Sequence, residues 1–260
     1  MSDPSAIAST CAVQIAPRVP RPPRPVLAVA FDARARAFAA DGVVLRGAHA
    51  AIARLVVGAR RPAASRTAPG RLGGLAGGRL VHAQLEHYYT FGAPAPDEHP
   101  LAAALRGALA PLRMTGVAPE MPLAAPDLGV ATAADAVGWR GGHFFVIEFK
   151  TGFAGVFDTA AAGRWRRAVA PALAAADVAC TPRGLAVVQG MIGALALART
   201  RGVALADISV VVVRAWTVGV RDLATGVVCH LSDPVFARAC AAIEKALRVR
   251  PRRPGAGRAQ

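Results

Sequence analysis

Lysine is almost missing from this chain: of its 31 basic residues only Lys150 and Lys245 are lysines, and the rest are arginine. Arginine answers any general demand for positive surface, so a lysine against such a background marks a place that needs a compact amine whose protonation responds to its surroundings. Cysteine is scarce as well. Cys11, Cys180, Cys229 and Cys240 are scattered with no C-x-x-C pair, which argues against a zinc ribbon and reads as buried apolar thiols in a reducing compartment. Long apolar runs are absent: Leu185–Ala198 is interrupted by Gln189 and falls short of the roughly 20 residues that cross a bilayer. No basic segment precedes an apolar one at Met1-Ser-Asp-Pro4, so the expectation is a soluble intracellular protein without a signal peptide. No long polar linker divides the chain either. It reads as one domain over residues 26–249, flanked by a Pro/Arg-rich tail, 1–25, and a basic tail, 250–260.

Acidic residues number only 16, which leaves a formal charge of +15. Such a surface attracts polyanions, nucleic acid being the commonest. The abundance of Ala, Arg, Gly, Pro and Val is also a mark of GC-rich coding, which raises arginine whether or not nucleic acid is bound. The tract Pro17–Pro25 cannot form helix or sheet and reads as extended. The glycine-rich stretch 69–78 lacks the Gly-Lys-Ser/Thr ending of a phosphate-binding loop.

Periodicity predicts helices over Ala48–Val57, Leu80–Phe91, Leu101–Leu112 and Gly184–Arg199, and a final one from Ser232 to Val249 that opens with a capping serine and a proline. Strands are expected at 117–123, 128–137, 143–150, 208–216 and 226–231, with a hairpin around Asp41-Gly42 inside Arg34–Arg46. Strands mixed with helices on either side give an α/β architecture with a central mixed sheet.

Lys150 ends the run His143-Phe-Phe-Val-Ile-Glu-Phe-Lys150. On a strand, positions i and i+2 share a face, so Glu148 and Lys150 project side by side from the end of a segment apolar enough to be buried. A buried carboxylate and ammonium must pair with each other or meet a metal ion. Asp135 precedes Gly138-Trp-Arg-Gly-Gly142, a turn-rich stretch that folds the chain back and brings a second carboxylate toward the first. Two carboxylates form a hard oxygen site suited to Mg²⁺ or Mn²⁺.

The pattern D-x12-E-x-K across a hairpin resembles the PD-(D/E)XK nuclease superfamily. Upstream, Gly78-Arg-Leu-Val-His82-Ala-Gln-Leu-Glu86 resembles the G-x-x-x-H-x-x-x-E helix of its RecB-type, exonuclease-like branch. His82 and Glu86, four apart, share a helix face. The resemblance implies a restriction-endonuclease-like core and metal-dependent hydrolysis of phosphodiester bonds in DNA. It implies His82, Asp135, Glu148 and the backbone carbonyl of Phe149 as metal ligands, with Lys150 orienting the attacking water or stabilising transition-state charge. Glu120 would support these ligands or hold a second ion, and Gln189 would contact the nucleotide backbone or fix Lys150. The chain departs from the pattern at Thr132, where a Gly is usual, and at Gly193, where a Tyr is usual. The cysteine scatter also argues against the iron–sulfur cluster carried by some members.

Arg164-Trp165-Arg166-Arg167 admits two readings: a nucleic-acid contact, with arginines on phosphates and the indole on a base, or an exposed helix face with a half-buried tryptophan. His87, His99, His143 and His230 follow no ligand spacing and read as surface or core histidines. The rival to a hydrolase is a non-catalytic, basic nucleic-acid-binding protein on a degenerate nuclease fold. RNA is the alternative substrate to single- or double-stranded DNA.

Overall fold

The computed structural model describes residues 27–32, 37–40, 43–58, 75–151, 157–159, 161–218, 222–231 and 234–248. Both expected tails therefore lie outside the described residues, as do Asp41-Gly42 and most of the glycine-rich stretch. The strands are β1 (Val29–Asp32), β2 (Ala37–Ala40), β3 (Val43–Gly47), β4 (Val56–Val57), β5 (Gly116–Ala125), β6 (Val130–Arg140), β7 (His143–Thr151), β8 (Arg164–Trp165), β9 (Ile208–Val218) and β10 (Asp222–Leu231). The helices are α1 (Ala48–Ala53), α2 (Leu75–Phe91), α3 (Pro100–Leu109), α4 (Ala170–Ala175), α5 (Pro182–Arg201) and α6 (Pro234–Leu247).

Eight strands form one mixed sheet in the order β1-β2-β3-β6-β7-β9-β10, with β5 paired to β6, while β4 and β8 form a separate two-stranded ribbon. The β3–β6 and β7–β9 pairs are parallel. The architecture is α/β with helices on both faces, as the sequence predicts. One discrepancy lies at 48–57: the helix stops after six residues, and Val56-Val57 become a strand against β8. The β-branched pair is worth more in a ribbon than in another helical turn.

Local chemistry explains the clearest elements. β6 and β7 are joined through Gly141 and Gly142, both at positive φ (56° and 86°), between the paired residues Arg140 and His143. That is the two-residue hairpin turn that glycine favours. Thr181 caps α5 by accepting from the Gly184 amide, Pro182 occupies its first turn, and Gly202 closes it in the left-handed conformation.

The two sheet faces carry different helices. Val146, Val210 and Val212 pack with α1, α5 and α6. Phe145, Ile147, Phe149, Val211 and Val213 pack with Val81 and Leu85 of α2 and Leu101 and Leu105 of α3. Alternation along β7 therefore turns Phe149 toward α2 and α3, and Glu148 and Lys150 toward the α1/α5 side. Glycine lets α5 lie close: a Cβ on Gly190 would stand 2.4 Å from Val210 Cγ1, and one on Gly193 would stand 2.9 Å from Val146 Cγ1 and 4.0 Å from Thr132 Cγ2. The two positions at which the motif departs, 132 and 193, thus face each other, the larger residue on the strand opposite the smaller on the helix. Cys240 is buried against this core with its thiol pushed up to about 12, by burial first, and Cys180 is half-buried; both are free.

β6 pairs with β5 along one edge. On its other edge β3 covers only Val130 and Ala131, and β7 covers only Ala136 to Arg140. Residues 132–135 lie in the gap between them. Beyond β3 the chain turns into α1, and beyond Ile147 the strand β7 continues beside β9, so one edge of the central strand is left open between two diverging neighbours.

Two glycine-to-alanine substitutions should move stability in opposite directions. Gly107 in α3 has open space where a Cβ would go, so Gly107→Ala should stabilise by about 0.5–1 kcal/mol through helix propensity. Gly190→Ala gains the same propensity but overpacks against Val210 and should destabilise by about 1–2 kcal/mol net; urea denaturation of both variants reads the sign. The cap of α3 should make stability depend on pH. His99 is buried, its Nδ1 accepts from the Leu101 amide, and burial lowers its pKa. The unfolded chain, with His near 6.5, then binds more protons than the folded one, so this contribution is complete above that pH and is lost as the pH falls through the folded value. His99→Asn, whose amide oxygen can still cap, should flatten the acid-side fall in the thermal midpoint between about pH 7 and pH 5.

Candidate metal centre

Asp135 stands at the open end of the gap in β6. Where the β6–β7 pairing stops, the Phe149 amide donates to Asp135 Oδ2 at 2.7 Å, so the side chain takes over a hydrogen bond that the parting strands no longer supply. Its other oxygen, Oδ1, lies 3.5 Å from His82 Nδ1. His82 comes from α2, which Val81 and Leu85 clamp onto the sheet. The imidazole meets the Phe149 ring edge-on, with centroids 6.1 Å apart. One turn earlier Gly78 lets α2 approach the sheet: a Cβ there would lie 3.2 Å from Thr151 Oγ1. The glycine and the histidine four residues later thus do linked work, one admitting the helix and the other presenting the ligand.

Glu120 faces Asp135 from β5, in the register step between Pro119↔Ala136 and Met121↔Ala134. It sits at φ +44°, in the left-handed region, which costs a non-glycine residue about 1–2 kcal/mol. The two-residue period slips at the same level of the sheet: Ala134 packs in the core under α5, and Ala136 in the core under α2 and α3. Donor atoms of His82, Glu120 and Asp135 all lie within 4.8 Å of one another. The Glu120 carboxyl is pushed up to about 7, by burial first, then by the charges of Asp135 and Glu86. An imidazole with two carboxylates is a donor set that could hold a divalent metal ion.

Behind this group Glu148, 3% exposed, accepts from Lys150 Nζ. Burial, and after it Asp135, pushes the Glu148 carboxyl up against the pull of Lys150. Burial alone would lower the Lys150 pKa, but Glu148 and Asp135 outweigh it, so the ammonium is held charged. The side-by-side placement of Glu148 and Lys150 matches the expectation from strand alternation. The grouping of the candidate donors is specific: Glu120, expected to support the ligands or hold a second ion, converges with His82 and Asp135, whereas Glu148 is engaged by Lys150. It is the backbone amide of Phe149 that touches the cluster, while its ring is core.

The remaining candidates are dispersed. Gln189 is half-buried on α5, one residue before the glycine that abuts Val210. Arg164 and Trp165 form β8 rather than a helix face, and the half-buried Trp165 donates its indole N–H to the Val178 carbonyl at 2.7 Å and packs against the core. Arg164, Arg166 and Arg167 are exposed. His143 pairs with Ser209 at the hairpin end, and His87 lies against Phe91. His230 lies among residues whose side chains are not described.

Sequence reasoning missed His49. It is the second residue of α1, which leaves β3 beside the gap, and its pKa is lowered by burial first, then by the charge of Lys150, with Asp135 opposing. No spacing to the motif points to it; only the parallel β3–β6 pairing brings it there. The weight of Glu120 had a signal that was not used: Pro119 and Pro122 bracket it within a strand, and prolines there mark irregular pairing.

Replacing Glu120 by glycine and by alanine should separate backbone from side chain. Both variants lose the carboxylate, yet Glu120→Gly should be about 1–2 kcal/mol more stable than Glu120→Ala in urea, because glycine alone takes positive φ without a steric cost. Equal stabilities would show that the left-handed turn is not retained once the carboxylate is gone. Compared with protein-family models, with curated proteins and with solved structures, the chain matches none.

Proposed function

We propose that this protein is a metal-dependent phosphodiester hydrolase acting on nucleic acid, with DNA as the first expectation and an exonuclease of the RecB-like PD-(D/E)XK type as the finer reading. The observation that carries the proposal is the convergence of His82, Glu120 and Asp135 within 4.8 Å, beside a buried Glu148–Lys150 pair. The resemblance of D-x12-E-x-K and of the His82 helix to that superfamily supports it, as does the α/β sheet with helices on both faces. The charge of +15 suits a polyanionic substrate.

His82, Glu120 and Asp135 would hold a Mg²⁺ or Mn²⁺ ion, with Glu148 near enough to Asp135 to share in the charge. Such an ion, when bound, acidifies a water, polarises the phosphate and offsets transition-state charge. Lys150, held charged by two carboxylates, supplies a fixed positive group next to the reacting phosphate. Its pairing with Glu148 restricts it to one orientation, which a longer guanidinium fork would not reproduce in this buried corner. Phe149 fixes Asp135 through its amide, and α2 fixes His82 by packing, so the donors are placed before any ligand arrives.

Purified protein should nick plasmid and degrade linear DNA with Mn²⁺ or Mg²⁺. Asp135→Asn and Lys150→Ala should each reduce the rate by at least about 100-fold; wild-type rates in either would remove the assignment. Comparing single-stranded DNA, duplex DNA and RNA in the same assay identifies the substrate. Mn²⁺ should also raise the thermal midpoint of the wild type and not that of Asp135→Asn. A wild type indifferent to the ion would instead support the non-catalytic binding protein.

A further inference from the structure

At the far end of α1 from the metal cluster lies a cavity of about 330 Å³ lined by Arg54, Leu55, Arg166, Ala168 and Ala246. Two arginines contribute to its lining and, among the described residues, no Asp or Glu does. Arg54 Nη1 is buried without a hydrogen-bond partner among the described residues. A buried donor left without an acceptor is costly. Two helix C-termini close nearby, α1 with Arg54 as its cap and α6 just after Ala246. Each supplies at most about half a negative charge, so the helix ends do not cancel the arginines and the cavity stays net positive.

The backbone holds this cavity in shape. The Arg166 amide donates to the Leu55 carbonyl at 2.8 Å, and the Arg166 carbonyl accepts from the Val169 and Ala170 amides at 2.9 and 3.0 Å. Arg166 is therefore pinned at its main chain, with its side chain exposed, and Arg164 and Arg167 beside it are exposed too. α1 links the cavity to the cluster. Its second residue, His49, stands beside the gap in β6, and Arg54 follows five residues later, about 8 Å along the helix axis.

We propose that the cavity between Arg54 and Arg166 is a subsite for a backbone phosphate of the substrate strand. The inference rests on the hydrolase reading only for the identity of the strand. A planar guanidinium fork donates to two phosphate oxygens at once, which suits it to hold a strand in register.

The test is binding of a fluorescently labelled single-stranded 12-nucleotide DNA to full-length Asp135→Asn protein, followed by anisotropy over a range of salt. Arg54→Gln combined with Arg166→Gln should raise Kd at least about tenfold and lower the slope of log Kd against log salt by about 0.7, the value for one phosphate contact on a single strand. Arg140→Gln, the same charge change at the opposite, hairpin end of the sheet, should stay within about twofold. The double Arg→Lys variant should keep most of the affinity and guards against misfolding, as do the thermal midpoints. A single methylphosphonate moved along the DNA should weaken wild-type binding at one position and have no such effect on the double Gln variant. Three results would overturn the subsite: a double Gln variant that binds like wild type, an equal loss from Arg140→Gln, or displacement of the DNA by inorganic phosphate at equal concentration, which would make the cavity a site for the free ion. Loss of cleavage without loss of this binding pattern would remove the hydrolase and leave the subsite standing.

Discussion

The hydrogen bond from the Phe149 amide to Asp135 Oδ2 is the contact on which the rest of the site depends. A sheet gains its stability by pairing every backbone group, and an open edge at its centre is costly unless side chains take over. Here β3 and β7 both use the same edge of β6 and stop short of each other. Asp135 substitutes for the missing strand, and in doing so it is fixed where it can also face His82 and Glu120.

Charge arrangement follows from that opening. Glu120 and Glu148 each lie near enough to Asp135 to feel its charge, and Lys150 pairs with Glu148. Removal from water first, and the charge of Asp135 after it, pushes both glutamates up. Left to itself such a cluster is destabilising, and the left-handed backbone at Glu120 adds to the cost. Functional sites are where folds retain strain and unbalanced charge, because the surrounding packing is strong enough to hold them. That packing is visible in Val81 and Leu85 beneath His82, and in the glycine-mediated approach of α5 to Val146 and Val210.

Much of the fold was legible because its signals are local. Thr181, Pro182 and Gly202 mark both ends of α5, and Gly141-Gly142 mark the hairpin. The apolar run before Lys150 reads as a buried strand, and alternation alone predicts that Glu148 and Lys150 are neighbours. Other features were hidden for physical reasons. The helix over 48–57 stops early because Val56 and Val57 find a partner strand more than a hundred residues away. The partner of the Trp165 indole nitrogen, the Val178 carbonyl, is one that only the folded chain brings near.

By itself the sequence singled out the candidate residues: a rare lysine two places from a glutamate, an aspartate before a glycine turn, and a histidine on a helix. Their spacing sets local geometry, because strand and helix periods are properties of the backbone. Only the tertiary structure decided which donors converge. It drew Glu120 in beside His82 and Asp135, turned Glu148 to Lys150, and carried His49 to the edge of the cluster. Such choices depend on strand pairing between distant segments, where free energy comes from burial shared across the whole sheet rather than from any short stretch of chain.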